Sequence, residues 1–369
     1  MAPALGIVIG SDAFVRAAGD RPDITRIPAV LAFGGGARPV LGRPGSGAGC
    51  EYRDFTSRVG DPVPVMADGE ERSGTELVAT AIDCLAEGAP AVVVAHPAVW
   101  TDHAVSELRD ALSKRGIPVR LLSEAEAAYA GLLAAQYISE RATVVLCDVG
   151  AASTDIAVVR PSGKSGAVRV ERATRSHEFG GELVDSLLFE HVLDELSCAY
   201  PEFDPTDRRN WDGLRELRAR LVHAKQQLSR DMSAVVEVNL PGIREQRRIV
   251  RAELEALIAE PVQQAVQRIV RTTDAAVGAG HEVEAIVLVG GGAAIPLLAE
   301  YLSTATEVPI ADTSDPGTTV ARGAALLAAR AAAGRPVNRG AARVLPPGQP
   351  ANPAPMAAAI PKVPVPPRS

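Results

Sequence analysis

The sequence predicts a layered α/β protein built from two successive, similar units that face each other across a cleft. Three observations carry this reading. Apolar strand-like runs alternate with helix-spaced segments over the first 140 residues, and the cycle restarts at 143. Two passages, LGIVIGSDAF (5–14) and VLCDVGAASTDIAV (145–158), each run strand, glycine turn, resumed chain. A third glycine turn, VGGGAA (289–294), precedes a helix.

Taken in order, LGIVIGS (5–11) is a strand that stops at glycine. Residues 29–66 are rich in Gly and Pro, with short strand-like pieces AVLAF and RPVLG. SGTELVATAIDCLAEG (73–88) has helical spacing and ends at Gly88. PAVVVAHPAVW (90–100) is a buried strand and a turn, and TDHAVSELRDALSKRG (101–116) a capped helix. PVRLLSE then makes a short strand and AEAAYAGLLAAQY a helix. The second unit starts at TVVLCDVG (143–150), and TDIAVV resumes as a strand. Helices dominate 184–279, with one strand-like insert, AVVEVNL (234–240). EAIVLVGGG (284–292) is a strand before a helix starting near Pro296, and a further strand, turn and helix close the body by Ala333. The last 36 residues hold ten prolines and much alanine, the composition of a disordered or polyproline tail.

Composition narrows the function classes. The 369 residues, 47% hydrophobic and 22% charged, suffice for two ordinary domains. Aromatics at 4% argue against a stacking surface for single-stranded nucleic acid. The net charge of −7 is unevenly spread: from Gly334 to Ser369 there are five basic residues and no acid, leaving −12 on the body. An acidic body disfavours a nucleic-acid interface. Cys50, Cys84, Cys147 and Cys198 lack metal-like spacing, and Cys84 and Cys147 read as small buried hydrophobes. The most apolar window (285–299) is too short and glycine-rich to span a bilayer, and Met1 leads into a strand with no basic leader. A cytoplasmic protein is expected.

Asp148 ends an apolar strand, where an unpaired carboxylate is costly to bury. It either caps the Gly150–Ser153 turn or faces a ligand, and Asp155 brackets the turn on the other side. Each glycine loop alone reads as a tight turn between core elements. Three together favour an anion, because bare N–H groups and helix starts bind phosphate. No G-x-x-x-x-G-K-[ST] occurs, and Ile295 stands where the dinucleotide fingerprint needs its third glycine. A P-loop enzyme and a Rossmann dehydrogenase are set aside.

Seven segments, in order over most of 4–333, resemble the nucleotide-binding domain of the 70-kDa heat-shock chaperones, within the actin/sugar-kinase ATPase superfamily. LGIVIGSDAF is similar to the first phosphate loop (G-I-D-L-G-T-T) and CDVGAASTDI to the second (D-L-G-G-G-T-F-D-I). HEFGGELVDSLL (177–188) resembles L-G-G-E-D-F-D, LVHAKQQLS (221–229) the adenine-binding helix, and VEVNLPG (236–242) a following family segment. VLVGGGAAIP resembles the adenosine loop V-L-V-G-G-S-T-R-I-P, and DPGTTVARGAAL (315–326) the closing helix.

The resemblance implies a duplicated actin-like (ribonuclease-H-like) two-lobed ATPase fold with a central nucleotide cleft. It implies lobe I at 1–140, with a small subdomain inserted at about 31–89, and lobe II at 141–333, with a helical subdomain inserted at about 185–282. ATP or ADP with magnesium would be held by Gly10, Ser11, Asp12, the Gly150, Ala151, Ala152, Ser153 turn, Gly180, Gly181, Glu182, Lys225, Ser229, Gly290, Gly291 and Gly292. Asp148 and Asp155 would serve the metal, and with Glu124 form the catalytic set. Glu124 matches the glutamate of N-E-P-T-A-A, which links nucleotide state to lobe movement. Read on its own it is a first-turn acid favouring the helix dipole, and Ser123 with Glu126 fits a capping box.

The sequence also departs from the family. Val8 replaces the first loop's aspartate and Asp12 a threonine; Ala151 and Ala152 replace glycines, at a cost of about 1–2 kcal/mol wherever the backbone is left-handed. The family's catalytic lysine is expected near FTSRVGD (55–61), where Thr56 stands and Arg58 is the nearest cation. A positive charge lost beside the transferred phosphate removes about 4 kcal/mol at an effective dielectric of about twenty, roughly three decades in rate. Val222 and Gln226 replace a glutamate and an arginine of the adenine helix, and Gly292 and Ala294 a serine and an arginine of the adenosine loop.

The expected function is a chaperone-like ATP/ADP-binding module with weak or vestigial ATPase activity, acting as a switch on a protein partner. The alternatives are a non-catalytic interaction scaffold and a small-molecule kinase or phosphatase of the same superfamily. No peptide-clamping domain is expected where the tail stands. Truncation after Ala333 is expected to leave the calorimetric melting temperature nearly unchanged; a fall of several degrees would mean that the tail packs on the body.

Overall fold

The computed structural model describes residues 3–19, 23–34, 38–42, 50–67, 69–86, 88–162, 167–311, 313 and 315–334. The expected tail beyond Gly334 lies outside them. The first half contains Leu5–Ile9 (β1), Ala13–Ala18 (β2), Asp23–Pro28 (β3), Leu31–Phe33 (β4), Val40–Leu41 (β5), Cys50–Tyr52 (β6), Val65–Ala67 (β7), Glu70–Arg72 (β8), Gly74–Ala86 (α1), Val92–His96 (β9), Asp102–Lys114 (α2), Val119–Ser123 (β10) and Glu124–Ala134 (α3). The second contains Thr143–Val149 (β11), Thr154–Ser162 (β12), Ala167–Ser176 (β13), Gly181–Ala199 (α4), Trp211–Leu228 (α5), Ser233–Leu240 (β14), Ile243–Val250 (β15), Arg251–Gly278 (α6), Val283–Val289 (β16), Pro296–Ala305 (α7), Ile310–Ala311 (β17) and Thr319–Ala332 (α8).

Two five-stranded sheets share one strand order: β10-β9-β1-β2-β3 and β13-β12-β11-β16-β17. In each, three consecutive strands form an antiparallel meander, and two later strands add in parallel beside the first. This repeated topology is the duplicated actin-like fold expected from the motifs. The inner strands explain it locally. All five residues of β9 are buried, as a parallel strand covered on both faces requires. Between β3 and β9 lie β4–β8 and α1; between β13 and β16 lie α4, α5, the β14–β15 hairpin and α6.

Capping fixes where the helices begin. Thr101 accepts from Ala104 N at 3.2 Å to start α2. At α3 the capping box is complete: Ser123 Oγ accepts from Glu126 N at 3.1 Å, and Glu126 accepts from Ser123 N at 2.8 Å. That box sets Glu124 as the first residue of α3.

The core has three main parts. One packs α1 and α2 on the first sheet, and another packs α4–α7 on the second. The third lies between the sheets, where Val93 and Ala95 meet Leu146 and Val289 through Ala127 and Ala128 of α3 and Ala324 and Ala328 of α8. A division by chain order places α8 with the second lobe, yet it packs on β1, β2, β9 and α3. The reason is its small-residue face: Gly323 lies so close to α3 that an added Cβ would overlap the Ala127 carbonyl. Of the expected buried thiols, Cys147 is buried and Cys84 only half-buried, its Sγ donating to Pro39 O at 3.2 Å.

Gly323→Ala is therefore expected to cost about 2 kcal/mol by overpacking, a fall on the order of 5 °C in melting temperature. Gly278→Ala, at an exposed helix end where an added Cβ meets nothing within 4 Å, should change it little. Differential scanning calorimetry of the pair checks the contrast.

Candidate functional site

Three loops meet at a cleft of about 360 Å³ between the sheets. The first and second are the same turn made twice. Gly10 N donates to Ala13 O at 3.1 Å between β1 and β2, and Gly150 N to Ser153 O at 2.9 Å between β11 and β12. The third follows β16, where Gly290 has φ of 87° and donates to Pro316 O at 3.0 Å. A side chain at Gly290 would be strained by that φ and would overlap Asp148 Oδ1. Gly291 instead faces open space, with Arg26 Nη1 the nearest atom to an added Cβ at 3.7 Å. Ser11, Asp12, Ala151, Ala152, Ser153, Glu182, Lys225, Ser229 and Gly292 also line the cleft.

Acids collect at its floor through strand register. Asp148 of β11 pairs directly with Asp155 of β12, and Asp155 with Arg175 of β13. Opposed like charges destabilise a sheet, and an opposite charge on the next strand offsets them. Arg175 Nε and Nη2 donate to Asp155 Oδ1 and Oδ2, both at 2.7 Å. Glu124 is buried beside them, and its Oε1 accepts from Ala98 N at 3.2 Å. Burial first, and then the charges of Asp148 and Asp155, push the Glu124 carboxyl well above the usual range. Burial, followed by Asp155, raises Asp148 to about 7, against the opposing pull of Arg175.

The family model described as Hsp70 protein matches residues 75–338, more than half of the chain. The chain belongs to the Hsp70 family. It is 30% identical to the chaperone protein HscA of Serratia proteamaculans (strain 568) over 269 residues, 73% of this chain and 41% of that protein. The HscA homologues of Burkholderia mallei (strain SAVP1) and Burkholderia pseudomallei (strain 668) are each 28% identical over 263 residues, covering 69% of this chain and 40% of theirs. This chain thus spans about two-fifths of the length of the curated relatives it matches. The region is an Hsp70-like nucleotide-binding domain, and among its described residues no helix is long and apolar enough to cross a membrane.

Within this Hsp70 frame the individual positions differ from expectation in several ways. Ala151 and Ala152 are absent from the positive-φ residues of the described chain, so they carry no left-handed strain. Gly180 lies behind the second loop and does not line the cleft. The N–H groups of Gly181 and Glu182, which open α4, donate to Gly150 O at 3.0 Å and Ala151 O at 2.9 Å, so they support the second loop. Thr56 is buried and does line the cleft. Arg58 points elsewhere, to Asp61 Oδ2 at 3.2 Å and Val63 O at 3.1 Å. Lys225 is not a solvated charge: Nζ donates to Gly181 O at 2.9 Å and lies 2.7 Å from Asp185 Oδ1. Ser229 sits one turn further on, with its Oγ 3.4 Å from Lys225 O.

Sequence reasoning missed Arg175, the cation inside the acid cluster. It lies on β13, which was not read as a strand because AVRVERATRS mixes charge into its alternation. The usable signal was RVERATRS following TDIAVV, a basic residue able to lie beside an acid across a hairpin. The magnesium donors expected in an Hsp70 domain fit poorly here. Both Asp155 oxygens are bonded to Arg175, and Val8 brings no carboxylate, which leaves Asp148 alone of the expected pair.

The Asp148 shift has a stability consequence. Its folded pKa of about 7 lies above the ordinary carboxylate value, so ionised Asp148 destabilises the fold. That cost grows from about pH 4 to pH 7 and is constant above it. In chelator, Asp148→Asn is expected to raise the melting temperature at pH 8 and to raise it much less at pH 5. An equal gain at both pH values would rule out this origin.

Proposed function

We propose that the protein binds ATP and ADP in the cleft between its two sheets and works as a chaperone-related, nucleotide-dependent switch with little turnover. The observation that carries this reading is the convergence of the Gly10, Gly150 and Gly290 loops with Lys225 and Ser229 on one cleft of about 360 Å³. The first two loops offer backbone to a polyphosphate. The 290–292 loop, Lys225 and Ser229, with Val222 and Ile295 beside them, line the part of the cleft assigned to purine and ribose. Glu124 of α3 lies beside the acids of β11 and β12 at the phosphate end, which supports a role in lobe movement. In this reading lobe I is 1–140 together with α8, and lobe II is the rest of 141–333.

Turnover is expected to be slow for a local reason. Thr56 offers a hydroxyl and no charge at the lysine position, and Arg58 is held by Asp61. The geometry thus supports binding more than hydrolysis, and the protein the switch acts on belongs to the same proposal.

Calorimetric titration with ATP and ADP tests the reading. Binding is expected for the wild-type protein. Gly291→Leu, which points into open space, should weaken it at least about tenfold, or 1.4 kcal/mol, with the ligand-free melting temperature unchanged. No heat and no thermal shift at millimolar nucleotide would favour a scaffold without ligand.

A further inference from the structure

The acid cluster on β11 and β12 carries its own cation. Arg175 holds Asp155 through Nε and Nη2, which uses one long edge of the guanidinium. A guanidinium has five N–H donors, so two on Nη1 and one on Nη2 are left on its other edges. The side chain lines the same cleft as the Gly10 and Gly150 turns, and Glu124 and Asp148 act on its charge together with Asp155.

The other cleft cations are placed differently. Arg26 donates to Asp12 Oδ2 at 2.7 Å, and both side chains are more than half exposed. Lys225 is taken up by Asp185 and Gly181 O at the start of α4, beside the second loop. Only Arg175, among the described residues lining the cleft, puts positive charge beside the acids of β11 and β12.

Two further positions point the same way. Thr56 supplies no charge where the lysine is expected. Val8 faces the cleft as a hydrocarbon where a carboxylate would help hold a hydrated metal. A planar fork that is always charged suits phosphate oxygens, and its bond to Asp155 pre-orients it.

We propose that Arg175 is the phosphate-binding cation of this cleft, so that adenine nucleotide binds without a divalent metal. This rests on the reading of the cleft as a nucleotide site. The carboxylate that would otherwise serve the metal serves as the guanidinium's anchor.

Calorimetric titration with ADP and ATP, in EDTA and in millimolar magnesium, tests the proposal. The wild-type protein should bind in both buffers with Kd values within about threefold of each other, less than the tenfold that 1.4 kcal/mol represents. Arg175→Gln should weaken binding in EDTA at least about tenfold, the scale of a charged hydrogen bond, and Arg175→Lys should keep most of it. Because Arg175→Gln leaves Asp155 buried without its partner, the double variant Arg175→Gln with Asp155→Asn is measured as well; it removes both charges together. The double variant should show the same loss, with its melting temperature confirming a folded chain. Binding confined to magnesium buffer would overturn this inference and leave the nucleotide reading standing. Unchanged binding by the folded double variant in EDTA would also overturn it. No binding in either buffer would overturn both.

Discussion

The structure turns on the place where α3 and α8 cross between the two sheets. Gly323 and Gly131 bring the helices close enough for backbone to meet backbone, and Ala127, Ala324 and Ala328 fill the remainder. Larger residues would hold the sheets further apart, and interiors packed like organic crystals do not absorb such volume without strain. From this crossing the cleft's geometry follows. The helix α3 carries Glu124 to the acid cluster, and α8 follows directly on the Asp315–Gly317 stretch whose Pro316 carbonyl binds Gly290. One seam therefore sets the distance between the first loop and the other two, which strand pairing of β11 with β16 already holds together.

Charge in the cleft is arranged by register. Asp148, Asp155 and Arg175 occupy paired positions on three neighbouring strands, so a slip by one residue anywhere in β11–β13 would send one of them to the other face. The sheet tolerates Asp155 opposite Asp148 because the third strand returns a positive charge to it. The result is a half-buried ion pair, Asp155 buried and Arg175 open to the cleft, beside two carboxylates whose protonation depends on what else occupies the cleft. Such a cluster is a weak source of stability and a sensitive reporter of a charged ligand.

Much of this was legible from residues alone. Continuous apolar runs such as VVVAH and VVLCD gave the inner strands, and capping signals gave the starts of α2 and α3. The glycine turns were found because bare backbone at a strand end leaves little else to read. Harder to see were strands whose outer faces carry charge: DITRIP, AVRVERATRS and IREQRRIV have the alternation of half-exposed strands but few apolar residues to advertise it. Arg175 was hidden for that reason. The surroundings of Lys225 were hidden for another, since Gly181 O and Asp185 are 44 and 40 positions away in the chain and become neighbours only when α4 packs on α5. The family resemblance also implied that the start of α4 would face a ligand directly, but its first N–H groups are used within the protein.

That use makes α4 a mechanical element. Because Gly181 N and Glu182 N grip the carbonyls of Gly150 and Ala151, the root of the helix is tied to the second loop, and its inner face runs through the core against α5 and α6. Nineteen residues at 1.5 Å each make the helix about 28 Å long. A tilt of roughly 5° at its root would sweep the far end through about 2.5 Å on that length. At that end Glu195 grips Arg247, and Tyr200, just past the helix, donates to Glu245 at 2.6 Å, so the β14–β15 hairpin is coupled to the tip. A small shift beside Asp148 that tilted α4 would be felt at a surface distant from the cleft.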